Sequence, residues 1–80
     1  MMLNTTQIGW DISRTANRFQ SSCVLKFGTV VVDAKSILSV FVTLADQHKY
    51  ELYVIGPDAE EAKRAMSDLF ARYDLSYMIK

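Results

Sequence analysis

A lysine–serine pair, Lys35-Ser36, follows Asp33-Ala34 and opens an apolar run, Ile37-Leu38-Ser39-Val40-Phe41-Val42-Thr43. A serine in that position has two chemistries open to it. Its hydroxyl can accept a hydrogen bond from the backbone amides left free in the first turn of a helix. It can also accept a phosphoryl group, whose nearly two negative charges suit the positive end of the helix dipole. Other reactive groups are sparse. The single histidine, His48, sits in the polar stretch Asp46-Gln47-His48-Lys49 and reads as a solvated loop residue. The single cysteine, Cys23, lies in an apolar strand-like run and reads as a buried structural thiol. Alone it makes no internal disulfide, and one cysteine with one histidine gives no metal-ligand cluster. Asp58, Glu60 and Glu61 form a carboxylate group that helix-start chemistry accounts for. There is no HExxH, no glycine-rich phosphate loop, and no serine or cysteine nucleophile beside a base. The expectation is a chain with no catalytic residue, no metal and no cofactor, and hence not an enzyme.

The elements that position Lys35-Ser36 follow from apolar spacing. Ile8, Ile12, Ala16 and Phe19 lie four, four and three apart, one face of a helix. Gly9 weakens that helix by about 1 kcal/mol relative to alanine, and Trp10 falls off the stripe, partly exposed. In a competing reading residues 3–8 form a short strand and the helix starts at Asp11; the longer helix is preferred, with residues 1–7 irregular or a short strand. Residues 21–26 and 30–33 read as two strands around Phe27-Gly28-Thr29, a hairpin. Ser36 then caps a helix running to about Thr43, with Ile37, Val40 and Phe41 inward. Residues 50–55 form a third strand, stopped by Gly56-Pro57. Asp58 is a candidate N-cap for the most secure helix, whose stripe is Ala59, Ala62, Met66, Leu69, Phe70 and Tyr73. The tail, residues 74–80, changes to alternation and is a possible extra strand.

The bulk properties bound the answer. Eighty residues make a single domain, 1–80, and one this small buries roughly 60% of its unfolded surface. Half the residues are hydrophobic, enough for a globular fold. Nine basic and nine acidic residues cancel, which argues against nucleic acid as a partner and does little to oppose self-association. The first six residues lack the charged and apolar regions of a secretory signal, and no apolar run approaches the roughly 18 residues of a membrane span. A cytoplasmic, reduced setting with no membrane partner is expected.

The order helix, hairpin, helix, strand, helix makes an α+β domain, and together with several short motifs it resembles the histidine-containing phosphocarrier protein (HPr) family of the bacterial sugar phosphotransferase system. Ala16-Asn17-Arg18-Phe19 resembles the end of the family's first helix. Residues 24–36 resemble its hairpin leading into the lysine–serine pair, and Gly56-Pro57-Asp58-Ala59-Glu60-Glu61-Ala62 the start of its last helix. The resemblance implies an open-faced sandwich, an antiparallel sheet of three to four strands with three helices on one face. It also implies a phosphorylatable histidine at the mouth of the first helix and an arginine nearby. Counted back from Phe19 without gaps, those positions fall at Thr5 and Gln7. Threonine forms no labile phosphoramidate, so the phosphocarrier positions are degenerate and ordinary phosphotransfer is expected to be absent. Ser36 matches the serine that a dedicated kinase phosphorylates in some members, although an N-cap role also explains it. Lys35, Ile37, Leu38 and Phe41 are candidates for a partner surface there.

The family's first strand, which pairs beside the last, is missing. That would leave residues 50–55 as a bare edge, and three strands under three helices are marginal. The first six residues, the tail, or a second chain can supply the lacking strand; the intermolecular solution is preferred, with Tyr77, Met78 and Ile79 involved. The function expected is that of a non-catalytic HPr-like protein that binds a protein partner (a regulator, a kinase or an enzyme of sugar metabolism) and is switched at Ser36. The alternative is a homodimer formed through a sheet edge or terminal segment, a structural module with no phosphotransferase-system role.

Overall fold

The computed structural model describes residues 5–45, 50–75 and 77–80. Its elements run α1 (Thr5–Asn17), β1 (Ser22–Phe27), β2 (Val30–Asp33), α2 (Ile37–Ala45), β3 (Tyr50–Ile55), α3 (Ala59–Arg72) and β4 (Tyr77–Ile79). The strands form one sheet in the order β2-β1-β3-β4. Alternation sends Cys23, Leu25, Tyr50, Leu52 and Val54 to the face that the helices cover, where they join Ile12, Ala16, Val40, Met66 and Phe70 in one core. The opposite face carries no helix, so the architecture is an open-faced sandwich.

The longer first helix forms. Residues 5–8 are helical, so neither an irregular segment nor a strand reaches beyond residue 4; residues 1–4 lie outside the described residues. Burial of Ile8, Ile12 and Ala16 outweighs the propensity penalty at Gly9. Phe19 is not on the helix itself: the chain leaves α1 through bonds from Arg18 N to Thr15 O and from Phe19 N to Ala16 O, and Phe19 packs on the core from that turn. The hairpin between β1 and β2 turns on Gly28 and Thr29 with Phe27 opposite Val30. Gly28 takes φ of 56°, the positive value that a two-residue hairpin turn requires.

Asp58 precedes α3 as expected, but its side chain makes no capping bond to that helix. The carboxylate is claimed by the α1–β1 loop, accepting from Gln20 N at 3.0 Å, Ser21 N at 2.9 Å and Ser21 Oγ at 2.5 Å. Ser21 Oγ in return accepts from Asp58 N at 3.2 Å. Three donors outcompete the one that a cap would offer. The two loops approach so closely that a Cβ on Gly56, whose φ is +151°, would lie 2.5 Å from Ser21 Cα. Only glycine fits there.

The sheet is mixed. β1 pairs antiparallel with both β2 and β3, whereas β4 pairs parallel with β3, with Tyr50 opposite Tyr77 and Leu52 opposite Ile79. Within the chain, residues 77–79 thus cover the β3 edge, so the tail supplies a strand there, where the intermolecular solution is the preferred expectation. The parallel sense follows from the crossover. α3, 14 residues long, spans about 21 Å, and six residues of β3 span about 20 Å. The helix thus returns the chain to the level where β3 began. The reversal is made by a Schellman ending on α3, with Leu75 N bonded to Phe70 O at 2.9 Å and Asp74 N to Ala71 O at 3.1 Å. Asp74 occupies the left-handed position of that ending at φ 56°. Tyr77 then stacks edge-to-face on Phe70 at 5.3 Å and shares a 3.0 Å hydrogen bond with Ser67 Oγ.

Two expectations follow. Asp74→Gly relieves the cost of placing a side chain in the left-handed region and raises stability by about 0.5–1 kcal/mol, read as a higher urea midpoint at unchanged slope. Hydrogen bonds from Ser21 and Gln20 hold the Asp58 carboxyl below its ordinary value. A lowered folded pKa contributes stability that is complete above the unfolded value and lost as pH falls through the folded one. Urea midpoints measured from pH 6 down to about pH 2 fall more steeply for the wild-type chain than for Asp58→Asn.

Candidate functional site

Asp33, Ala34, Lys35 and Ser36 join β2 to α2, and almost every polar group of this short link is tied down. Asp33 Oδ1 accepts from Lys35 N at 2.9 Å, and Asp33 O accepts from Ser36 N at 3.0 Å, so the loop folds as a side-chain-supported turn. Ala34 is fully buried, and its N–H reaches Cys23 O at 2.8 Å. The Lys35 carbonyl accepts from two side chains of α1, Ser13 Oγ and Asn17 Nδ2, each at 3.0 Å. Asn17 Nδ2 also donates to Ser13 O at 2.8 Å, which fixes the amide. Lys35 Nζ donates to Phe19 O at 2.8 Å. Lys35 is thus held at both ends by α1 and its exit turn; its ammonium, a partner-surface candidate in the sequence, is engaged within the molecule.

Ser36 occupies the N-cap position by its backbone, its carbonyl accepting from Val40 N at 3.0 Å. The capping bond expected from its side chain is not formed: among the described residues its hydroxyl has no hydrogen-bond partner. Since no buried side-chain oxygen among them lacks a partner, that hydroxyl is reached by solvent. The first-turn amides of α2 and the positive end of its dipole lie beside it. Of the remaining candidates, Leu38 is 74% exposed, Ile37 and Phe41 are half-buried, and only Val40 is fully in the core. Trp10, 58% exposed, lies on the same face of α1 as Ser13 and Asn17. Its departure from the apolar stripe was the signal that marked it.

Thr5 opens α1 and Gln7 lies exposed in its first turn. His48 and the polar loop around it fall outside the described residues. Cys23 is 1% exposed on the central strand β1, and burial pushes its thiol above the ordinary value, away from the reactive thiolate. On the far side of α1, Asp11 accepts from Arg14 and from the Tyr73 hydroxyl, which ties α1 to α3. Among the described residues no group of histidine, cysteine and carboxylates is gathered to hold a metal ion, and no helix is long and apolar enough to cross a membrane.

Residues 8–72 match the family described as the PTS HPr component phosphorylation site. A search of curated proteins finds no match. Among solved structures, the HPr dimer from Thermoanaerobacter tengcongensis is similar with a TM-score of 0.76 at 26% identity, over 91% of this chain and 90% of that one. HPr-C-His from the same organism gives a TM-score of 0.66 at 31% identity, over 75% of this chain and 68% of that one. The Bacillus subtilis catabolite repression protein Crh, described as a domain-swapped dimer, gives 0.76 at 24% identity, over 88% and 80%.

The double anchoring of the Lys35 carbonyl predicts a particular mutant pattern. Ser13→Ala or Asn17→Ala alone leaves one donor in place and costs about 1 kcal/mol, while the double variant strands the carbonyl and costs about 3 kcal/mol, more than the sum. Urea unfolding of the four-protein cycle reads the coupling directly.

Proposed function

This chain belongs to the HPr family of the bacterial sugar phosphotransferase system, and from that premise we propose that it is a binding and regulatory protein rather than a phosphate relay. One observation carries the reading: Ser36 presents an unpartnered, solvent-reached hydroxyl at the start of a helix, on a loop whose other polar groups are pinned. A phosphoryl group added there meets the free amides and dipole of α2 and calls for no refolding. It alters a surface to which Leu38, and less fully Ile37 and Phe41, contribute. The partner is a protein, a transcriptional regulator or an enzyme of sugar metabolism in the cytoplasm, and the charge at Ser36 changes its affinity. Lys35 serves this surface by positioning it. Thr5 and Gln7 stand where the relay would need a histidine and an arginine; a phosphothreonine ester would not pass its phosphate onward, so neither relay nor enzymatic activity is assigned.

A second reading, a dimerising module without a role in sugar uptake, is favoured by the dimers named for similar HPr and Crh structures. The outer edge of β2 would carry it, since β4 covers β3.

Two incubations test the reading. With phosphoenolpyruvate and the general enzyme of the phosphotransferase system, the chain stays unlabelled; label on a histidine overturns the degenerate assignment. With the family's serine kinase and ATP, wild type takes label and Ser36→Ala takes none. An unlabelled wild type removes the switch and leaves the dimerising module.

A further inference from the structure

The face of the sheet that carries no helix is patterned in rows by the strand register. One row crosses all four strands as Val31, Lys26, Glu51 and Met78. The next runs Asp33, Val24 and Tyr53, and Lys80 continues it: its N–H bonds Leu52 O at 2.8 Å and its ammonium lies 3.7 Å from Glu51. Read from β2 to β4, the first row is apolar, positive, negative, apolar; the second is negative, apolar, apolar, positive. Each row is its own complement when reversed. Its apolar residues are half-buried at the centre, Val24 and Tyr53, and exposed toward the margins, with Val31 on β2 at 61%, Met78 on β4 at 57% and Ile55 at the end of β3 at 75%.

We infer that this face binds a second copy of the chain, face to face, about a twofold axis that runs along the strands between β1 and β3. That operation reverses each row. Lys26 meets Glu51 of the second copy and Glu51 meets its Lys26; Asp33 meets Lys80, Val31 meets Met78, and Val24 meets Tyr53. Lys26 has no ion-pair partner within its own chain among the described residues, so the contact supplies one. Shape follows the same symmetry. A hollow of about 370 Å³ is lined by Ser22, Val24, Val31 and Asp33 among others, on the half of the face made by β1 and β2. The axis places over it the larger side chains of the other half, Tyr53, Ile55 and Met78. Two such sheets pack as an aligned β-sandwich. Four strands about 4.8 Å apart and about five residues long give a face of about 19 by 17 Å, in the lower size class of specific interfaces. The dimer is therefore weak, forming on the order of 0.1–1 mM rather than at nanomolar concentration.

Sedimentation equilibrium of the full chain from about 10 µM to about 1 mM tests it, together with Lys26→Glu and Glu51→Lys. Wild type shows a concentration-dependent dimer. Each single variant sets like charges against each other across the axis and stays monomeric, while an equimolar mixture of the two regains a dimer through the complementary pairs. Val31→Lys, at the rim of the same face, also stays monomeric. A wild-type monomer throughout the range overturns the inference, as does a mixture that stays monomeric although both variants show native far-UV circular dichroism. Variants that dimerise like wild type overturn it too and leave pairing through the β2 edge standing; none of these outcomes touches the Ser36 reading.

Discussion

The Lys35 carbonyl, held by Ser13 and Asn17, is the joint on which the functional half of the molecule turns. It lies between the last residue of β2 and the first of α2, so whatever fixes it fixes the hairpin, the second helix and α1 relative to one another. The Lys35 amine grips the exit turn of α1 at Phe19 O, which leaves the residue no freedom to swing. A carbonyl with two donors is strongly directional. Apolar packing between α1 and α2 could slide by a fraction of a turn; a two-donor contact could not. Ser36 inherits that rigidity, because it follows Lys35 directly and its own carbonyl opens α2.

At the same end of the sheet, on its β3 side, the fold is closed by loop-to-loop chemistry. Ser21 and Asp58 exchange hydrogen bonds in both directions, and Gly56 removes the one side chain that would keep their loops apart. This clamp joins the segment entering β1 to the segment entering α3, and so aligns the two central strands at Ser22 and Ile55. β4 then completes the sheet from the outside, steered by the left-handed turn at Asp74 and anchored by Tyr77 on Phe70. The two closures act on different strand edges and share no residue.

Element types and their order were readable because apolar spacing is a local property. The bounds of β3 and the stripe of α3 came directly from alternation and from three-and-four spacing. Three features were not readable, each for a reason rooted in distance along the chain. Asp58 has the composition of a cap, but its competing donors lie 37 and 38 residues away. Alternation in residues 77–79 announces a strand without announcing its direction, which depends on the length of the helix before it. The Ser36 hydroxyl has the right type and place to cap, yet whether it bends back to the helix depends on how the preceding loop is held. The Lys35 anchor itself had a faint signal only: Ser13 and Asn17 are polar residues on a helix face adjoining the apolar stripe, and nothing local says what they meet.

The position of Cys23 has a consequence for how the domain can be watched. Its thiol sits on a strand flanked on both sides by other strands and roofed by helices, and burial keeps it protonated. Fraying at the chain ends or breathing of the hairpin tip leaves it covered. Only an event that lifts the helical layer off the sheet lets a reagent in. The molecule therefore contains its own gauge of large-scale opening, one sulfur atom that stays silent through small motions.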